Sequence, residues 1–222
     1  MPVTPIRHVI YLHGFASSPA SSKAERFRRE LTARGVGFSC PDLNLPAFET
    51  LTTTRMLDQV DRLVESIGDG PVALVGSSLG GFVAIHAAAR LAAGGVVDRL
   101  ILLAPAVDFG GNRLQQLGDQ LVDDWRRRGR LDVFHYAENR RRFVRFDLYE
   151  DSAQYDAFTA ASVMPTLVFQ GRFDDAVVPA HVEAWARARP QVDLRVLNDG
   201  HQLSESIDEI WQESEKFLGL LT

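Results

Sequence analysis

Val72-Ala73-Leu74-Val75-Gly76-Ser77-Ser78-Leu79-Gly80-Gly81 is the stretch on which the reading of this chain turns. An uninterrupted apolar run leads into a glycine-flanked serine, and an alanine-rich segment follows from Gly81 to Gly94. A short apolar run bounded by turn residues fits a strand buried on both faces, and the alanine-rich stretch fits a helix. Glycine-any-serine-any-glycine at a strand–turn–helix junction throws the serine hydroxyl clear of the sheet. Such a turn stores about 1–3 kcal/mol of backbone strain and persists only where the surroundings enforce it. Glycine two residues before and two after the serine lets the arms of the turn pass without a side-chain clash. Ser78 then stands at a helix N-terminus, where free N–H groups and the helix dipole favour developing negative charge. A glycine-rich turn that only packs a helix on a sheet looks the same locally, so the decision falls to the rest of the chain.

Working outward, His8-Val9-Ile10-Tyr11-Leu12 is a second buried strand and ends at His13-Gly14-Phe15. A serine-rich loop with Pro19 follows. Ser22 and Glu25 have capping-box spacing ahead of a helix whose apolar face is Ala24, Phe27 and Leu31. Phe38 to Cys40 is a short strand, and Met56, Leu57, Val60, Leu63, Val64 and Ile67 mark an amphipathic helix. Beyond the serine turn, Leu100–Leu103, Thr166–Phe169 and Val192–Leu197 are strands, with helices starting at Val178-Pro179 and spanning Ile207 to Leu218. Apolar strands alternating with helices predict an α/β fold: a mostly parallel sheet covered on both faces. Ligand crevices in such sheets lie beyond the carboxyl ends of the strands. His13, Ser78 and His201 all come just after strands and land on that edge.

A serine hydroxyl is a poor nucleophile at neutral pH and needs a base within hydrogen-bond reach. Of the six histidines, His201 is the best placed, following the last strand after Gly200. His13 props the turn after the first strand, and His86 lies on the helix behind Ser78 as a packing residue. An imidazole acting as base needs a carboxylate behind it to fix its tautomer and balance its charge. Asp174 and Asp175 both follow the penultimate strand, and the residues alone leave the two open. The oxyanion of a tetrahedral intermediate needs two fixed donors, each worth about 3–4 kcal/mol when well aimed. The backbone N–H groups of Leu79 and Phe15 are the candidates.

Composition excludes several alternatives. The chain has 222 residues, a net charge of −5, 45% hydrophobic and 24% charged residues. These suit one soluble domain, 1–222, and give no general attraction to nucleic acid or to an anionic membrane. One cysteine, Cys40, cannot form an internal disulfide, and no signal sequence or membrane span is evident, so a cytoplasmic setting is expected. Residues 108–160 interrupt the strand–helix rhythm and read as a lid insertion over the crevice. Within it Leu114, Leu117, Leu121, Val122 and Trp125 fall on one helical face. Asp132–Tyr136 and Phe143–Leu148 are extended and suggest a hairpin, and Asp151–Ala161 reads as helix. The insertion carries nine arginines, from Arg113 to Arg145, read mainly as a solvated, partly ion-paired surface.

Tyr11-Leu12-His13-Gly14-Phe15, Ser17-Ser18-Pro19, Ser22-Lys23-Ala24 and Gly76-Ser77-Ser78-Leu79-Gly80-Gly81 together resemble the α/β-hydrolases, and among them the small single-domain bacterial esterases of the YqiA type. The order serine, acid, histidine is that of the α/β-hydrolase arrangement. The resemblance implies Ser78 as nucleophile, His201 as base, and Phe15 and Leu79 as oxyanion donors. It favours Asp174, three residues after Gly171, as the acid, although Asp175 matches a shorter version of the same turn. The lid matches only in position. The expected activity is cleavage of short-to-medium acyl esters or thioesters, with no metal or organic cofactor. Phe15, the Leu79 side chain and the leucine and tryptophan faces of the lid are expected to line an apolar acyl pocket. A peptidase or acyltransferase on the same residues, or a binding module without turnover, are the rival classes, and the oligomeric state is left unassigned.

Overall fold

The computed structural model describes residues 5–68, 70–111, 118–161 and 163–220. In chain order the first half contains β1 (His8–Leu12), α1 (Ser22–Ala33), β2 (Gly37–Ser39), α2 (Thr53–Ile67), β3 (Val72–Ser77), α3 (Leu79–Leu91) and β4 (Val97–Leu103). The second half contains α4 (Asp119–Arg128), β5 (Arg130–His135), β6 (Arg140–Arg145), α5 (Asp147–Ser152), β7 (Thr166–Gly171), α6 (Pro179–Arg187), β8 (Val192–Leu197) and α7 (Ile207–Phe217). Six of the strands form one sheet in the order β2-β1-β3-β4-β7-β8, every neighbouring pair parallel. β3 lies between β1 and β4, its Gly76 level with Leu12 on one side and Leu102 on the other. The elbow therefore opens near the middle of the strand ends. This is the mostly parallel sheet that the strand–helix alternation predicts, and the α/β-hydrolase fold that the resemblance implies.

Alternating side chains of the buried strands feed two separate cores. Ile10, Leu12 and Leu74 point to the face covered by α2, α3 and α6, while Val9, Tyr11 and Val75 point to the face covered by α1 and α7. Phe27 of α1 sits edge-on to Trp211 of α7 at 5.5 Å between ring centres and is wholly buried. Truncating a buried ring of this kind to alanine costs about 3–5 kcal/mol.

Several local expectations shift. Helix α1 begins at Ser22 with Ser21 as its cap, and no side chain caps it, so the Ser22–Glu25 box does not form. Glu25 pairs with Arg28 instead. Helix α2 starts three residues before its first apolar position, where Thr52 Oγ1 accepts from the Arg55 N–H at 3.2 Å. Cys40 directly follows β2, and burial pushes its thiol up to about 12, out of reach of nucleophilic chemistry at neutral pH.

Between β4 and β7 the chain leaves the sheet. β5 and β6 form the antiparallel hairpin expected there, joined by a tight turn in which Asn139 has φ +50°. The second strand stops at Arg145, and residues 146–148 turn into α5 rather than extending further. Helix does not run through Asp151–Ala161: α5 ends at Ser152. Asp156 Oδ1 there accepts from the Phe158 N–H at 2.9 Å, a local aspartate turn that competes with helix. Trp125 of α4 is buried and donates from Nε1 to the Val144 carbonyl at 3.2 Å. The expected positions Arg113, Leu114 and Leu117 lie outside the described residues. Arg126, Arg127 and Arg140 pair with Asp123, Asp124 and Glu138 on the surface. Among the described residues no helix is long and apolar enough to cross a membrane.

Candidate active site

Ser78 has φ +54° and ψ −118°, the left-handed strain that the glycine-flanked turn calls for. The two glycines are needed for different reasons. A Cβ on Gly76 would strike the Gly80 carbonyl, as the crossing of the two arms requires. A Cβ on Gly80 would strike the Leu12 and His13 carbonyls of β1 and its loop, not Gly76. The turn is pinned from below, with the Ser78 N–H donating to Leu103 O at 2.9 Å and the Ala106 N–H to Ser78 O at 3.1 Å.

Three loops from three strands converge on Ser78. His201, in the loop after β8, receives the Ser78 Oγ hydrogen at Nε2 across 3.1 Å. Its Nδ1 lies 3.0 and 2.9 Å from the two carboxylate oxygens of Asp174, in the loop after β7. A carboxylate only accepts, so the ring proton is on Nδ1 and the Nε2 lone pair faces the serine. Asp174 also accepts from the Ala176 N–H at 2.9 Å, the Val177 N–H at 2.7 Å and Gln170 Nε2 at 2.9 Å. Burial works against its charge, but the bonds from His201, Val177 and Gln170 outweigh that and hold the carboxyl below the usual range. Asp174 is therefore ionised at neutral pH. Asp175 is exposed and borders the mouth of the cavity, away from the imidazole bond.

The loop after β1 passes against Ser78: a Cβ on Gly14 would sit 3.4 Å from the serine Cβ. Buried His13 props this loop as expected, donating from Nδ1 to Gly14 O at 2.9 Å and accepting at Nε2 from the Leu43 N–H at 3.0 Å. The backbone N–H groups of Phe15 and Leu79 have no acceptor among the described residues. Leu79 is the first residue of α3, where an N–H has no partner within the helix. The Phe15 ring packs on Phe48 at 5.3 Å, and Phe48 packs edge-on to His135 of β5 at 4.7 Å. Arg142 of β6 binds Glu49 at 2.9 and 2.7 Å, and the Ala137 N–H donates to Ala16 O at 3.3 Å. These contacts fasten the hairpin to the loop that carries Phe15.

Ser78 and His201 open into a cavity of about 700 Å³, bordered also by Phe15, Tyr136, Lys23 and Asp175. Its walls differ from the expected apolar acyl pocket. The Leu79 side chain is buried in the core, and Trp125 packs edge-on to Phe146 rather than facing the cavity. Of the expected apolar walls, Phe15 is the one present among the described residues: Val122 and Trp125 join the core that also holds Phe82 and Trp185, and Tyr136 borders the site. The sequence reading also missed Gln170. The signal was there: an amide inside the otherwise apolar run Leu167-Val168-Phe169 is costly to bury unless it is bonded.

Fold and site geometry together define an α/β-hydrolase-fold protein whose sheet edge gathers a serine, a histidine and an aspartate. The chain belongs to UPF0227, an uncharacterised protein family, whose model matches residues 8–214. A candidate hydrolase from Agrobacterium vitis S4 superposes with a TM-score of 0.86 at 23% identity, covering 96% of this chain and 88% of that one. Est1E from Butyrivibrio proteoclasticus, solved with ferulic acid bound, gives 0.82 at 18% identity, again over 96% and 88%. At these identities the likeness is one of fold. Lipase LipV of Mycobacterium tuberculosis is 45% identical over 60 residues, 27% of this chain. The match spans 22% of that protein's length.

Proposed function

We propose that this chain is a serine hydrolase that cleaves short-to-medium acyl carboxylic esters or thioesters through an acyl-enzyme. The observation that carries the reading is the unbroken relay from Ser78 Oγ to His201 Nε2 at 3.1 Å and from His201 Nδ1 to Asp174 at 2.9 Å. Ser78 Oγ attacks the carbonyl carbon while its proton passes to His201 Nε2. Asp174, already ionised, balances the imidazolium that forms. The oxyanion takes the unpartnered N–H groups of Leu79 and Phe15. The C–O or C–S bond then breaks, and the leaving group departs with the proton from His201. Water attacks the acyl-enzyme, again giving its proton to His201, and the acid leaves as Ser78 is restored.

The cavity of about 700 Å³ is in the range that encloses a small-molecule ligand. An esterase among the fold neighbours and a lipase among the partial sequence relatives agree with ester chemistry. Residues 108–160 act as the lid in this reading, with Tyr136 its contribution to the cavity wall. The test is a panel of acyl esters, thioesters and amides against the parent and Ser78→Ala, with fluorophosphonate labelling of the serine. Short-to-medium esters are cleaved, and Ser78→Ala loses at least about a thousandfold in rate. Retention of most activity in that variant defeats the proposal. Efficient labelling without steady-state turnover would favour the binding-module alternative.

A further inference from the structure

We infer that Lys23 is a positioning residue that holds the His201 loop over Ser78; the inference rests on the serine-hydrolase reading. Ser78 follows β3 and His201 follows β8, with β4 and β7 between them. At about 4.8 Å per strand the loop after β8 must reach back roughly 14 Å across the strand ends. Apart from the His201 bond to Ser78 itself, the other bonds described for it lie on the β7–β8 side or within the loop. The Arg172 and Phe173 N–H groups donate to Leu197 O and Asp199 O at 2.9 and 3.0 Å. The Asp199 carboxylate gathers the N–H groups of Gly200, Glu205 and Ser206 at 2.7, 3.0 and 2.9 Å.

Lys23 supplies the tie from the opposite side. It stands in the first turn of α1, the helix that follows β1, and β1 is the strand beside β3. Its Nζ donates to the carbonyl of Gln202, the residue after His201, at 2.7 Å. The tie therefore links the catalytic histidine to the half of the sheet that carries the serine. Leu203, immediately beyond, has φ +52°, so the chain turns sharply just past the anchored carbonyl. Ser22-Lys23-Ala24, a motif that the proposed reaction leaves without a role, acquires one: Ala24 seats α1 on the sheet and Lys23 reaches over its end.

The experiment compares Lys23→Met, which loses donor and charge, with Lys23→Gln, which keeps a donor, using purified full-length chain. Lys23→Met lowers kcat about 10- to 100-fold with KM within about threefold, as expected for a misplaced base. Lys23→Gln recovers most of kcat. A Lys23→Met enzyme with kcat within about twofold of the parent and Ser78 still labelled by fluorophosphonate overturns the inference. If circular dichroism shows Lys23→Met unfolded, Lys23→Ala is read in its place: a kcat loss of about tenfold or more at unchanged KM supports the inference, and a kcat within about twofold overturns it. Failure of the probe to label Ser78 in the parent would sink the hydrolase reading instead.

Discussion

Gln170 and Asp174 face each other across the end of β7, joined by a 2.9 Å hydrogen bond from the buried amide to carboxylate Oδ2. The amide oxygen of Gln170 is buried without a partner among the described residues. The side chain thus gives two bonds, to Asp174 and at 3.1 Å to the Gly171 carbonyl, and carries one unmet acceptor. Gln170→Leu removes all three at once. We expect stability to change by less than about 1 kcal/mol, read from a urea midpoint, while kcat falls about tenfold as Asp174 loses a constraint. A large stability loss with unchanged kcat would show the amide to be structural.

Asp174→Asn and Asp175→Asn separate the two acids that the sequence left open. The first breaks the tautomer-setting bond and should lower kcat by about four orders of magnitude. The second alters an exposed side chain at the cavity mouth and should leave kcat within about threefold. Steady-state ester hydrolysis reads both, and comparable losses in the two variants would refute the assignment.

Gly80→Ala places a methyl group against the Leu12 and His13 carbonyls, backbone atoms that cannot swing aside. The expected cost is about 3 kcal/mol or more, at the upper end for overpacking. Denaturant midpoints measure it. Gly35→Ala makes a control: nothing stands within 4 Å of an added Cβ, although its φ of +71° leaves backbone strain.

Lys23 makes stability depend on alkaline pH. Burial lowers its ammonium from the ordinary 10.5 to about 8, against the opposing pull of Asp199 and Asp174. The folded state therefore holds this proton less tightly than the unfolded chain. Its cost to stability is fully present below about pH 8 and is relieved as pH rises from there toward 10.5. The span corresponds to about 3 kcal/mol at most, less what solvent screens at a side chain that is not fully buried. Thermal midpoints of the parent minus those of Lys23→Met should rise between pH 8 and pH 10. A flat difference would contradict the prediction.

Arg142→Ala releases the hairpin from Glu49 and removes a guanidinium that lies 5.3 Å over the Phe48 ring. The pair is only partly exposed, so a loss of about 1–2 kcal/mol is expected. Because Tyr136 borders the cavity, KM should rise more than kcat falls. Limited proteolysis near Tyr136 should also speed up.

What could be read in advance followed physical periodicity and turn chemistry. Val72–Val75 is apolar throughout because β3 is buried on both faces, and Gly76 and Gly80 advertise the crowded turn. His201 and the pair Asp174–Asp175 were legible through their place after strands, but position did not choose between the two acids. Other features were not, because they depend on distant chain segments. Nothing local says that Lys23 will meet Gln202, 179 positions away. The missing apolar pocket wall has the same origin: a helical face with Trp125 on it can join the main core or border a cavity, and periodicity is identical in both cases. Asp156 ended the expected helix by a side-chain turn that competes with apolar spacing.

The bond from the Ala137 amide to the Ala16 carbonyl joins the β5–β6 hairpin to the segment next to Phe15. Under the proposed function, widening the entrance would pull on that carbonyl, so admission of a bulky ester and stabilisation of its intermediate would draw on one shared tether. Selection for larger substrates should then yield slower chemistry unless that tether is rebuilt elsewhere.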